Sequence, residues 1–178
     1  MGFVEKKVSS EKIFSGRIID VRRDTVELVN GSIVTREVVD HLGGVAVVPV
    51  DADGNVIAVR QFRYPFEREL LEIPAGKLER GEEPFSCAVR ELSEETGFSA
   101  EKYTYLGEIY PSPGYCHETL YIYLATGLTA GEQHLDDDEF LNIEKIPLNT
   151  FIERIMSGDV RDAKTVVGIL KAAKILSK

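Results

Sequence analysis

Apolar and polar positions change period several times along the chain, and each change marks an expected element. Apolar, β-branched stretches at 12–21 (KIFSGRIIDV), 25–29 and 32–39 read as strands, and Asn30-Gly31 reads as the hairpin turn joining the last two. Two further apolar runs, 44–51 (GVAVVPVD) and 55–62 (NVIAVRQF), are joined by Ala52-Asp53-Gly54, which predicts a second hairpin. Strands are also expected over 103–110, 119–128 and 139–146. The period turns helical in 84–96, 148–158 and 162–176, with Asn149 and Asp162 as caps for the last two. Pro84 can open the first of these helices, where a missing N–H is harmless, and Gly97 can close it just past the end. Strands interleaved with helices, without a repeat, low-complexity tract or linker, predict an α/β fold.

Composition narrows this only a little. With 178 residues, 43% of them hydrophobic, the chain can bury one sizeable core. No apolar run approaches the roughly 20 residues that span a bilayer, and the opening MGFVEKKVSSEK lacks the apolar centre of a signal peptide. The cytoplasm is therefore the expected location, with no membrane partner. A net charge of −9 without a clustered basic footprint speaks against a nucleic-acid partner. Cys87 and Cys116 form neither a CxxC pair nor a disulfide framework.

The chemistry concentrates in 76–98, GKLERGEEPFSCAVRELSEETGF. At about 100° per residue, Glu91, Glu94 and Glu95 share roughly a 100° arc of the helix, while Phe85, Val89 and Leu92 cluster on another arc expected to face the core. The plain alternative is a solvated acidic face with a routine Arg90–Glu94 pair. Glu82 shifts the balance. It lies in a loop bounded by Gly76 and Gly81, whose freedom lets the backbone turn a carbonyl toward the same place. Carboxylates and carbonyls are the oxygen ligands that a hard cation such as Mg²⁺ takes. Such an acidic site repels an anionic substrate unless a metal inverts the local field.

Gly76, Glu82, the run Arg90-Glu91-Leu92, Glu94-Glu95 and Gly97, at these spacings, resemble the signature box of the Nudix hydrolases at every specified position. Three flanking segments are similar to the ADP-ribose pyrophosphatase branch of that family: RQFRYPFERELLEIPAGK upstream, Pro113 fifteen residues beyond Phe98, and the C-terminal DAKTVVGILKAAK. The resemblance implies a Nudix-type α/β/α sandwich with a mixed sheet over 41–178. It implies a small antiparallel sheet over 1–40 that pairs two copies and contributes to the substrate pocket.

The implied activity is Mg²⁺-dependent hydrolysis of the pyrophosphate bond of ADP-ribose to AMP and ribose 5-phosphate, with Mn²⁺ as a substitute and two or more ions per site. Another nucleoside-diphosphate sugar such as GDP-mannose, or ADP-ribose binding without cleavage, are the alternatives. By the same resemblance Glu91 and Glu95 are the primary metal ligands, joined by the carbonyl of Ala75 and by Glu82 and Glu94, with Arg90 orienting the carboxylates. The acidic loop 135–143 implies the general base. Glu139 and Asp138 come first, Asp138 also as a metal ligand, then Asp136, with Glu118 as the competitor. Arg36, Arg63, Ser112, Pro113, Gly114 and Tyr115 are the implied substrate contacts. The chain has no tryptophan to stack on adenine, which leaves Phe14 or a tyrosine for that task.

Overall fold

In the computed structural model, which describes residues 2–135 and 139–177, the chain divides into two units. One comprises the residues up to Gly43 together with Tyr110–Thr119, and the other comprises Gly44–Ile109 and the chain from Leu120 onward.

The first unit is a three-stranded antiparallel sheet of β1 (Lys6–Ser15), β2 (Asp20–Glu27) and β3 (Ile33–Asp40), with β2 in the middle. The expected strand 12–21 is therefore two strands. The chain reverses at Gly16, whose N–H donates to the Ile19 carbonyl at 2.9 Å, and Ser15 Oγ donates to Asp20 Oδ1 at 2.6 Å across the turn. The Asn30-Gly31 turn is present, with Gly31 at φ 81° and the Asn30 side chain accepting from the Ser32 N–H at 3.0 Å. Every residue of β1 is exposed. The segment 110–119 joins this unit through β3, where the Val39 N–H donates to the Tyr115 carbonyl and the His117 N–H to the Val39 carbonyl, both at 2.8 Å.

The second unit holds a mixed sheet and a smaller antiparallel one. The mixed sheet runs in the order β7 (Ala75–Lys77), β4 (Gly44–Pro49), β9 (Leu120–Ala130), β8 (Phe98–Ile109), with β4 and β9 parallel. β5 (Asn55–Arg63) lies between β10 (Leu141–Pro147) and β6 (Arg68–Glu72) in the smaller sheet. The turn at 52–54 forms as expected, with Gly54 at φ 80° and Asp51 Oδ1 accepting from the Asn55 N–H at 2.8 Å. It does not make a hairpin. β4 is buried along its whole length and already flanked by β7 and β9, so it offers β5 no free edge beyond one bridge, Val50 to Val56.

The side chains of β4 alternate between two cores, as the period of a strand requires. Val45 and Val47 pack with Cys87, Ala88 and Leu92 of α1 (Pro84–Thr96). Ala46 and Val48 pack with Ile122, with Phe151 of α2 (Leu148–Met156), and with Ile169 and Ala172 of α3 (Ala163–Leu176). Helices thus cover both faces of the sheet, the α/β/α arrangement. Asp162 caps α3, its Oδ2 accepting from the Thr165 N–H at 3.0 Å. Asn149 does not cap α2. That helix starts after Pro147, and its first N–H, of Leu148, is satisfied by the Gly54 carbonyl at 3.1 Å instead. Among the described residues, no helix is long and apolar enough to cross a membrane.

α1 begins with Pro84 and ends at Gly97, which takes the left-handed conformation (φ 71°) and donates to the Ser93 carbonyl. Its buried side differs from the expected one. Phe85 and Val89 are 52% and 40% exposed, whereas Cys87, Ala88, Glu91, Leu92, Glu95 and Thr96 are buried. Small residues at 87 and 88 bring the helix close to β4 and β7, and this turns Glu91 and Glu95 inward with Leu92.

Candidate active site

The loop between β7 and α1 and the inward side of α1 assemble the acidic residues. Arg90 is their hub. Its Nε and Nη2 reach the two Glu82 oxygens at 3.0 and 3.1 Å, and its Nη1 reaches Glu91 Oε1 at 2.8 Å and Glu94 Oε2 at 2.9 Å. The planar guanidinium can serve three carboxylates because its donors form a fixed fork. Glu82 also accepts from the Glu79 N–H at 2.9 Å, which pins the loop. The hydrogen bonds from Arg90 pull the Glu82 carboxyl down to about 2.

Glu95 is held differently. It is 2% exposed, and its Oε2 accepts from the Ala75 N–H at 2.9 Å. Glu91 lies against Gly76 so closely that a Cβ there would collide with its carboxylate, so a larger residue at 76 would push the Glu91 side chain out of this position. Burial pushes Glu91 up to about 7 despite Arg90, and Glu95 up to about 8 despite the Ala75 N–H. The negative charge of Glu139 adds to both shifts, so this exposed residue acts on the same two carboxylates.

Ala75, Glu82, Glu91, Glu94 and Glu95 are therefore brought into one cluster, and Glu139 addresses it electrostatically. Asp138 and Asp136 lie outside the described residues. Among the described residues, no three acidic, histidine or cysteine side chains form a ready-made metal centre, since Arg90 takes up Glu82, Glu94 and part of Glu91. The donor set nonetheless fits a hard cation. It is all oxygen, and two of its carboxylates are buried with less opposing charge than they need to stay ionised.

The implied substrate contacts fall in both units. Arg63, in the second, donates through Nε and Nη2 to Glu72 at 2.7 and 2.6 Å. Arg36, in the first, makes a two-pronged contact with Glu5, Nε to Oε2 at 3.0 Å and Nη2 to Oε1 at 2.7 Å. Ser112, Pro113, Gly114 and Tyr115 form a tight turn in which the Tyr115 and Cys116 N–H groups donate to the Ser112 carbonyl at 3.3 and 3.0 Å. Tyr115 is exposed and lines a cavity of about 270 Å³ with Ile13, Val21, Arg22, Val38 and Val39. Glu118 lies 3.6 Å from His41 Nδ1. That nitrogen already accepts from the Gly43 N–H at 3.0 Å, so the Glu118 contact is not a hydrogen bond from it. Cys87 is buried and its thiol is pushed up to about 12, chiefly by burial, which makes it a packing residue rather than a nucleophile.

Two groups next to the site escaped the reading of the sequence. One is the buried Glu72 with Lys164, whose signal was a charged residue inside each of two apolar patterns, LLEI and the inward stripe of α3. The other is 131–134. There the Gly131 and His134 N–H groups and the Gln133 amide bond the carbonyls of Gly97, Glu94 and Glu95, satisfying the open end of α1.

For this fold and its glutamate cluster, comparison with known proteins gives the class. The profile described as NUDIX domain matches residues 40–166, and one described as Nucleoside diphosphate sugar hydrolase N-terminal domain matches residues 5–39. The chain belongs to the NUDIX family. It is 46% identical over 167 residues to the ADP-ribose pyrophosphatase of Bacillus subtilis (strain 168), covering 93% of this chain and 90% of that protein. It is 41% identical over 169 residues to the Methanol dehydrogenase activator of Bacillus methanolicus, covering 94% and 91%. A crystal structure of an ADP compounds hydrolase superposes with a TM-score of 0.86 over 97% of this chain and 94% of that one. At 24% identity, that likeness shows the fold.

Proposed function

We propose that the protein hydrolyses the pyrophosphate bond of ADP-ribose, releasing AMP and ribose 5-phosphate, with Mg²⁺ as its ion and Mn²⁺ as a substitute. The observation that carries the chemistry is the buried Glu91–Glu95 pair on α1, beside Gly76 and the Ala75 N–H. The substrate comes over from the Bacillus subtilis relative.

Glu91 and Glu95 would hold the metal, with the Ala75 carbonyl, Glu82 and Glu94 completing or supporting the set. Bound there, divalent ions supply charge neutralisation on the phosphates and acidify the attacking water. Arg90 keeps Glu82 and Glu94 from repelling one another and aims them. Glu139, whose charge reaches the same carboxylate pair, takes the proton of the attacking water, a role it shares as a candidate with Asp138. Arg63, oriented by Glu72, presents positive charge to a substrate phosphate, and the 112–115 turn shapes the ribose end. Two copies pair through the N-terminal sheet and Arg36 serves the partner's pocket, a reading supported by the exposure of β1 along its whole length.

The test is incubation with Mg²⁺ and a panel of ADP-ribose, GDP-mannose, ADP-glucose, NADH and diadenosine polyphosphates, with products resolved by chromatography. AMP and ribose 5-phosphate should form from ADP-ribose far faster than products form from any other member. Faster turnover of GDP-mannose would keep the chemistry and change the substrate. Tight binding of ADP-ribose without cleavage would replace the hydrolase with a binding module.

A further inference from the structure

Behind the glutamate cluster runs a chain of buried polar contacts that the proposed reaction does not touch, apart from Arg63. Glu72 accepts from both prongs of Arg63 and from Lys164 Nζ. Lys164 Nζ also lies 3.0 Å from Asp162 Oδ2, which accepts from the Thr165 hydroxyl at 2.6 Å. That hydroxyl has a single proton, and Asp162 takes it. A lone pair on Oγ1 is left for the Ile73 N–H, 3.0 Å away. Arg63 and Lys164 are matched in charge by Glu72 and Asp162.

A buried ion pair of this kind is a poor device for stability alone, since desolvation offsets the attraction and apolar residues of the same volume would hold two elements together as well. Its position supplies another reason. The Ile73 N–H is held by Thr165, Pro74 has no N–H, and the Pro74 carbonyl accepts from the Val47 N–H at 2.9 Å. One residue further on, the Ala75 N–H holds Glu95 at 2.9 Å. The backbone of 73–75 is thus fixed at one end by the first turn of α3 and carries, at the other, a carboxylate of the metal set.

We propose that the first turn of α3 is a brace for the metal site, in which Lys164 and Thr165 are positioning residues that set the 72–75 backbone and, through Ala75, the aim of Glu95. This rests on the metal reading above and needs no particular substrate. Neither residue touches the reacting atoms.

The test is a calorimetric Mn²⁺ titration of the substrate-free protein, its Thr165→Val and Thr165→Ser variants, and Lys164→Gln. Thr165→Val keeps the side-chain volume and loses the hydroxyl, and it should weaken Mn²⁺ binding by roughly tenfold or more, as loss of a partner behind a metal ligand does. Thr165→Ser keeps the hydroxyl and should retain the parent affinity. At saturating Mn²⁺, kcat should fall in Thr165→Val with KM unchanged. Should Thr165→Val fail to fold, Lys164→Gln carries the same test. A Thr165→Val protein that melts earlier yet binds Mn²⁺ as tightly as the parent would overturn the brace and leave the proposed function standing. A parent that binds no Mn²⁺ would overturn the metal reading and the brace with it.

Discussion

Glu72 and Glu95 are both almost sealed from solvent, 1% and 2% exposed, yet their charges are treated in opposite ways. Burial raises both. At Glu72, hydrogen bonds and charge from Arg63 and Lys164 more than offset it, and the carboxyl lies below its ordinary value. At Glu95 the Ala75 N–H and the more distant Lys164 do not suffice, and the carboxyl rises to about 8. The same residue type at the same depth is a settled ion pair in one region and an unmet demand for positive charge in the other. A fold that compensates one buried glutamate fully and leaves two more on α1 wanting positive charge is what the proposed seat of a divalent ion requires.

Substitutions should separate the two regions sharply. Glu95→Gln should lower kcat by orders of magnitude, because an amide is a poor ligand for Mg²⁺. The metal-free variant should melt at or above the parent's temperature at pH 8, since a reluctantly ionised carboxylate has been removed. Near-normal turnover would break the comparison. Glu72→Gln should do the reverse in stability, costing about 3–5 kcal/mol in urea unfolding, because Lys164 would stay buried with Asp162 as its remaining charged partner and Arg63 would lose its two-pronged contact. A loss under about 1 kcal/mol would deny that Glu72 is the compensated one. Glu139→Gln should lower kcat more than about tenfold with Mn²⁺ affinity little changed. A smaller loss would move the base to Asp138, or to Glu118.

Local signals made much of this readable in advance. Pro84 and Gly97 bracket α1 as expected, Asp162 caps α3, Asn30-Gly31 turns the chain, and Glu82, Glu91, Glu94 and Glu95 converge. What the sequence could not convey depended on distant partners. The turn at 52–54 says that the chain reverses, but not that β7 and β9 already occupy both edges of β4. Counting apolar residues favoured Phe85 and Val89 as the inward side of α1, because nothing local shows that Gly76 and the Ala75 N–H make room for glutamates there. Lys164 meets Glu72 across 92 positions, a pairing with no periodicity to reveal it.

The two glutamates on α1 also set the response to pH. Glu91 and Glu95 keep their protons to about 7 and about 8 in the folded chain, against 4.5 ordinarily, so between those values the folded state binds more protons than the unfolded one. Metal-free protein should therefore lose stability as pH rises from 4.5 toward 8. Glu82, held near 2, works with the opposite sign, stabilising above 4.5 and losing that contribution as pH falls toward 2.

The most direct measurement is calorimetric titration of Mg²⁺ into the protein at pH 7 in buffers of different ionisation enthalpy. Filling a site whose ligands are partly protonated should release about one to two protons per protein, fewer at pH 8.5 and fewer in Glu95→Gln. Mg²⁺ binding without proton release, or release that Glu95→Gln leaves unchanged, would contradict the claim that this buried pair is where the metal goes.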